Sequence, residues 1–211
     1  MTAGSPRQLQ REFYAQRTLV VARELIGKHL VRAYRGRRFV GRIVETEAYQ
    51  GPQDLAAHSA RGLTARNAVL FGPPGFSYVY LIYGMWHCLN VATREQGVPH
   101  AVLIRATEPV ALGNGKTWGP GLLCKSMHID RRLNGVDLCG PVDRSVLWIE
   151  APTDDLPSTI ARTARIGVDY AGAWAAKRWR FFDSRSSYVS TVSVAARRAW
   201  SQSRVPRTRP I

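Results

Sequence analysis

Arg38-Phe39-Val40-Gly41-Arg42-Ile43-Val44-Glu45-Thr46-Glu47-Ala48-Tyr49 is the stretch on which the fold turns. It carries β-branched and aromatic residues and no proline, so it reads as one long strand. Upstream, His29 to Tyr34 alternates like a strand, and Arg35-Gly36 supplies the turn between the two. Downstream, Gly51-Pro52-Gln53-Asp54 ends the strand, and the small, polar residues as far as Asn67 read as loop. Phe71-Gly72-Pro73-Pro74-Gly75 is a second strong break. Phe76 to Ile82 and Trp86 to Thr93 then read as the arms of a hairpin turning at Tyr83-Gly84. Ala101 to Thr107 follows as a buried strand.

The remaining elements frame this sheet. Leu9 to Ile26 has helical spacing in two pieces, with Thr18 as an N-cap and Gly27 as a stop. Gly113 to Gly121 reads as loop and Leu122 to Ile129 as a helix. Val146 to Glu150 and Trp179 to Asp183 read as strands, with a mixed stretch from Ala161 to Tyr170. Strands outnumber helices and cluster mid-chain. The expected fold is a single α+β domain, a curved, mostly antiparallel β-sheet with flanking helices and a protruding hairpin. Residues 1–7 and the Arg- and Pro-bearing tail 201–211 are expected to be disordered, around a domain spanning 8–200.

Charge narrows the function. Thirty Lys and Arg oppose fifteen Asp and Glu, a net +15 that favours an anionic partner such as nucleic acid. No apolar run approaches a membrane span, and the N-terminus lacks a secretory pattern. The three cysteines, Cys88, Cys124 and Cys139, form neither a disulfide framework nor a CxxC pair, which suits a reducing compartment. No zinc motif is present; no metal or cofactor is expected.

Glu45 and Glu47, two apart on the strand, fall on one face, with Thr46 and Ala48 on the other. A carboxylate there can serve as a base for water. The spacing alone fits a surface pair on an amphipathic strand better. Tyr49, Tyr78, Tyr80 and Tyr83 supply aromatic faces on which bases could stack. Tyr83, at the hairpin turn, is poorly placed for a core and well placed to wedge into a duplex. Asn90 and Arg105 are polar residues inside apolar strands and need buried partners; a glutamate would suit Arg105. His58 lies in a loop, as a surface residue or a donor.

Taken together, Arg42 to Tyr49, Gly51-Pro52, Asp54 and Ala56-Ala57-His58-Ser59 closely resemble the alkyladenine (3-methylpurine) DNA glycosylase family. Arg66-Asn67, Pro74-Gly75, Tyr78 to Met85, Cys88 to Val91, Val102 to Ala106, Glu108-Pro109, Gly119-Pro120-Gly121, Leu123-Cys124 and Arg165 to Val168 continue the likeness in order, from about residue 18 to 192. The resemblance implies base excision repair by base flipping, with duplex DNA containing damaged purines as partner. Glu47 matches the general base, Arg105 its partner at the attacking water, and the Ile166 carbonyl a third contact. Tyr49, His58 and Tyr80 match the residues enclosing the flipped base, and the backbone around Ala56 and His58 reads its edge. Asn90 matches a residue disfavouring guanine, and Tyr83 the side chain intercalated into the duplex. Glu45 has no catalytic counterpart and is expected to be structural.

No lysine matches a catalytic position, so the resemblance implies a monofunctional, monomeric glycosylase. It would be cytoplasmic and nucleoid-associated in a bacterium, nuclear in a eukaryote. The chain departs from the family between Pro109 and Gly119, where Val110 to Trp118 is short. That departure bears on phosphate contacts. Trp86 and His87 also differ from the aromatics common after the hairpin tip. The competing classes are a non-catalytic damaged-DNA-binding module with the same surface, and a sugar hydrolase using Glu45 and Glu47.

Overall fold

A computed structural model describes residues 7–112, 115–153 and 158–190. In chain order the elements are β1 (Arg7–Gln8), α1 (Arg11–Ala15), α2 (Thr18–Glu24), β2 (His29–Tyr34), β3 (Arg37–Gln50), β4 (Ser77–Ile82), β5 (Trp86–Thr93), β6 (His100–Ala111), α3 (Pro120–Ser126), β7 (Leu147–Ala151), β8 (Ile160–Thr163) and β9 (Arg180–Asp183). Short 3-10 turns join several of them. The strands form one open sheet ordered β1-β7-β2-β3-β6-β5-β4, and each pairing is antiparallel. β6 follows one edge of β3. The other edge is shared: β2 takes the first half, and β9, itself paired with β8, takes Glu45 to Glu47.

Helices cover one face of this sheet. Tyr14, Val21 and Ala22 from α1 and α2 and Leu25 just after α2, with Leu123 and Cys124 from α3, pack on Val79, Leu89, Val91, Val102 and Ile104. Each large apolar side chain so buried contributes about 1.5–3 kcal/mol. Alternation sends the intervening residues of β4, β5 and β6 to the opposite face: Tyr78 and Tyr80, Cys88 and Asn90, Leu103 and Arg105. All of them line one cavity there.

β3 does not alternate simply. Ile43 and Ala48 both lie in the helix-side core, although unbroken alternation would put them on opposite faces. Register shifts between Ile43 and Glu45, and between Glu45 and Thr46, resolve the conflict. This irregularity re-aims the strand. Thr46 now faces the helices, its hydroxyl donating to the Ala22 carbonyl of α2 at 2.7 Å. Glu45, Glu47 and Tyr49 point the other way. Without it Glu45 and Glu47 would share Ile43's face and sit in the apolar core.

Several elements differ from the sequence reading. Arg7, expected to be disordered, pairs with Ala151 in β1; residues 1–6 and the tail 201–211 lie outside the described residues. Thr18 is not an N-cap. It is the first residue of α2, and its hydroxyl is held by Thr93 at 3.1 Å and His100 Nδ1 at 2.8 Å. α3 begins at Pro120 and ends at Ser126, about a turn earlier than expected. β6 runs on to Ala111, since its continued pairing with β3 overrides the local polarity after Thr107. Among the described residues no helix is long and apolar enough to cross a membrane.

Candidate active site

The cavity on the open face of the sheet has a volume of about 440 Å³. Its floor is built on β3 and β6. Glu47 and Glu45 are wholly buried, and Arg105 is 7% exposed. Removing an ion from water costs several kcal/mol, so this cluster must be satisfied from within. Arg105 donates through Nε to Glu45 Oε1 at 2.9 Å and through NH1 to Glu47 Oε2 at 3.3 Å. Tyr49 donates its hydroxyl to the same Glu47 oxygen at 2.8 Å, and the Ile166 backbone N–H reaches Oε1 at 2.8 Å. Ile166 thus meets Glu47 through its N–H, a contact separate from the one expected of its carbonyl at the water. Glu47 does not line the cavity itself, but Tyr49, Arg105 and Ile166 do.

The electrostatics hold Arg105 and Tyr49 in their protonated forms. Burial alone would lower the pKa of Arg105, but Glu47 and then Glu45 more than offset it and raise it above the ordinary guanidinium value. Burial, reinforced by the Glu47 carboxylate, raises Tyr49 well above the usual phenol value. Tyr49 therefore remains a donor to Glu47 at neutral pH.

The walls are aromatic. Tyr80 lies with its ring 4.4 Å from that of His58, and His58 Nδ1 is paired with the Tyr78 hydroxyl at 2.9 Å. Among the described residues that bond leaves Nε2 as the unengaged ring nitrogen. Partial burial of the ring, and then the Arg66 cation, lower the His58 pKa and keep the imidazole neutral. Asn90 is satisfied within the sheet, donating to the Tyr78 carbonyl at 3.2 Å. Ala56 and His58 come from the loop after β3, which is not slack. Asp54 accepts the backbone N–H groups of Gln50 and Ala56, each at 3.1 Å, and Asn67 donates to the His58 and Gly62 carbonyls at 3.0 and 2.9 Å. Gly51 also fits only without a side chain: a Cβ there would sit 1.9 Å from Ser59 Oγ.

The structure thus brings Glu47, Tyr49, Ala56, His58, Tyr80, Asn90, Arg105 and Ile166 around one cavity. A family model for methylpurine-DNA glycosylase matches residues 12–187. The chain belongs to the methylpurine-DNA glycosylase family. Among its relatives, a protein of Myxococcus xanthus is 53% identical over 184 residues, covering 86% of this chain and 93% of that protein. One from Legionella pneumophila strain Corby is 48% identical over 184 residues, covering 87% and 98%. One from Methanocella arvoryzae is 48% identical over 197 residues, covering 86% and 95%. All three carry the name "Putative 3-methyladenine DNA glycosylase".

In this glycosylase chain the β4–β5 hairpin stands at the cavity mouth. Tyr83 and Gly84 at its tip have φ of 53° and 69°, as the tight hairpin turn requires. Tyr83 is 83% exposed and Met85 68%. Such exposure leaves Tyr83 no core role. Trp86, just past the tip, packs on Gly121 of α3, where a Cβ would lie 2.7 Å from the indole, and lines the cavity too.

Four site features went unassigned in the sequence. Arg165 and Asp54 form a fully buried pair, NH2 to Oδ1 at 2.8 Å, and the Arg165 guanidinium lies 4.7 Å from the centre of the Tyr49 ring. Both residues stand inside quoted motifs, but nothing local marks them as partners. Arg180 and Ser190, which complete the Glu45 cluster, carry no sequence signal. Tyr170, 72% exposed at the cavity rim, sits in a stretch read only as mixed. Among the described residues no group of three or more His, Cys, Asp or Glu side chains could hold a metal ion.

Proposed function

We propose that this protein is a monofunctional DNA glycosylase that flips alkylated or deaminated purines out of duplex DNA and hydrolyses their N-glycosidic bond. The substrates would be 3-methyladenine and 7-methylguanine, with hypoxanthine and ethenoadenine as neutral lesions. One observation carries the reading: a Glu47–Arg105 ion pair buried directly beneath an aromatic cavity. A carboxylate has about four acceptor sites. Tyr49, Arg105 and Ile166 fill three of them on Glu47. Among the described residues no donor fills the fourth, on Oε1, which can take a water seated between Glu47 and the cavity.

The net charge of +15 favours phosphate contacts without sequence reading. Tyr83 inserts where the damaged nucleotide leaves the stack, offsetting an unstacking cost of a few kcal/mol. The base lies between Tyr49 and Tyr80 with His58 at its edge. A cationic methylated purine gains cation–π attraction from those rings. It also leaves without prior protonation, taking the electron pair of the N-glycosidic bond. Neutral lesions need a proton or hydrogen-bond donor at the leaving base. Water attacks the sugar carbon, Glu47 takes its proton, and the products are free base and an abasic site. Among the described residues no lysine lines the cavity, so no Schiff base is expected.

The test is Glu47→Gln, which keeps shape and removes basicity. Single-turnover release of 3-methyladenine should fall about 10²–10⁴-fold, the range for a lost general base. Binding to abasic DNA should persist. Near-normal release would remove Glu47 from the chemistry. A borohydride-trapped protein–DNA adduct would contradict the monofunctional assignment. Because Glu47 has no exposed surface, a second reading is a non-catalytic damaged-DNA-binding module. Wild-type protein that binds damaged duplex but releases no base would establish that reading instead.

A further inference from the structure

We propose that Glu45, together with Ser190, is a positioning residue that holds the Arg105 guanidinium in register with Glu47. This rests on the catalytic reading given above. The two glutamates of β3 share Arg105 but differ in how they are filled. Glu45 Oε1 accepts from Arg105 Nε at 2.9 Å, from Arg180 Nε at 2.7 Å and from the Ser190 hydroxyl at 2.7 Å. Its Oε2 accepts the Ser190 backbone N–H at 2.6 Å. Of these donors only Arg105 lines the cavity, whereas all three donors to Glu47, Tyr49, Arg105 and Ile166, do. Glu45 is therefore set back from the substrate space and is not placed to act as the base.

The same bonds orient Arg105. Its Nε is fixed by Glu45, and its NH2 donates to Ser190 Oγ at 3.3 Å. Ser190 Oγ thus donates a hydrogen bond to Glu45 while accepting one from Arg105, so each bond supports the other. With one edge of the fork held, NH1 is left to face Glu47. Arg180 locks the arrangement from the far side, its NH2 donating to the Ser190 carbonyl at 2.7 Å. Glu45, Glu47, Arg105 and Arg180 together carry two charges of each sign, all buried. A segment 145 residues from Glu45 in sequence thereby sets the geometry of the base's partner.

The test is Ser190→Ala, which removes the hydroxyl and leaves the buried charges intact. Single-turnover base release should fall about tenfold, as for one lost charge-assisted hydrogen bond, with the Kd for abasic DNA unchanged. Rates are normalised to the fraction of protein that binds abasic DNA, so a loss of folded protein does not register. Ser190→Thr, which keeps a hydroxyl, should recover most of the rate. Arg105→Lys keeps the charge but has no fork to hold, so Ser190→Ala should add nothing in that background. Multiplicative effects in the double variant, or an unchanged normalised rate in Ser190→Ala, would overturn the positioning role. Wild-type protein that releases no methylated purine would reject the glycosylase reading instead.

Discussion

Two buried arginine–carboxylate pairs lie side by side under the cavity, and they are built differently. Asp54 and Arg165 are both buried, joined through the two terminal guanidinium nitrogens, and neither lines the cavity. The remaining contacts of Arg165 go to the Ala48 and Trp174 carbonyls and to the faces of Tyr49 and Trp179. Glu47 and Arg105 meet at one longer contact of 3.3 Å, and Arg105 faces the cavity. The first pair faces no cavity, its one unpartnered atom, Arg165 Nε, being buried, and it ties the loop bearing Ala56 and His58 to the segment bearing Ile166. The second has acceptor and donor capacity left over on the cavity side. Burial and charge are common to both; unspent hydrogen-bonding capacity facing a cavity is what sets the second apart.

The comparison can be broken where the effects are largest. Asp54→Asn leaves Arg165 buried without a counter-charge and should cost about 3–5 kcal/mol of stability. At roughly 2–4 °C per kcal/mol for a chain of this size, Tm should drop by roughly 10 °C. Base release per folded molecule should stay near normal at low temperature. A large loss of normalised rate with unchanged Tm would mean that the pair acts in the chemistry.

Tyr83→Ala should do the reverse. Losing one stacking side chain should weaken duplex binding about 10–100-fold, while stability stays within about 0.5 kcal/mol. An equal loss in thermal melts would return Tyr83 to a structural role. The smallest effect concerns pH. His29, His58 and His100 all have pKa values lowered from 6.5, chiefly by burial. A lowered imidazole pKa means that the unfolded chain binds protons the folded chain does not. Stability should therefore be flat above neutrality and decline as pH falls through about 6.5. Thermal melts from pH 8 to 5 check this, and His58→Gln should reduce the slope. A Tm that rises on acidification would contradict it.

Much of this was legible before the structure. The long strand, the hairpin and the antiparallel α+β layout follow from composition and turn residues. The irregularity in β3 does not, because alternation over Val44 to Tyr49 looks unbroken. Only the shared core of Ile43 and Ala48 shows that the strand changes phase. Thr18 was misread as a cap because Thr93 and His100, far along the chain, claim its hydroxyl. Glu45 and Glu47 could not be told apart locally, since what separates them is the set of donors around each. Apart from Tyr49 on the same strand, those donors come from Arg105, Ile166, Arg180 and Ser190, none of them near β3 in sequence. Asp54 and Arg165, 111 residues apart, were hidden for the same reason.

The most direct test measures both pairs in one assay. Single-turnover release of 3-methyladenine from duplex DNA is recorded for Glu47→Gln and Asp54→Asn, each normalised to the fraction binding abasic DNA. The expected result is a near-silent Glu47→Gln and an Asp54→Asn close to wild type. A Glu47→Gln that keeps its normalised rate, or two variants equally impaired, would contradict the assignment of the chemistry to Glu47.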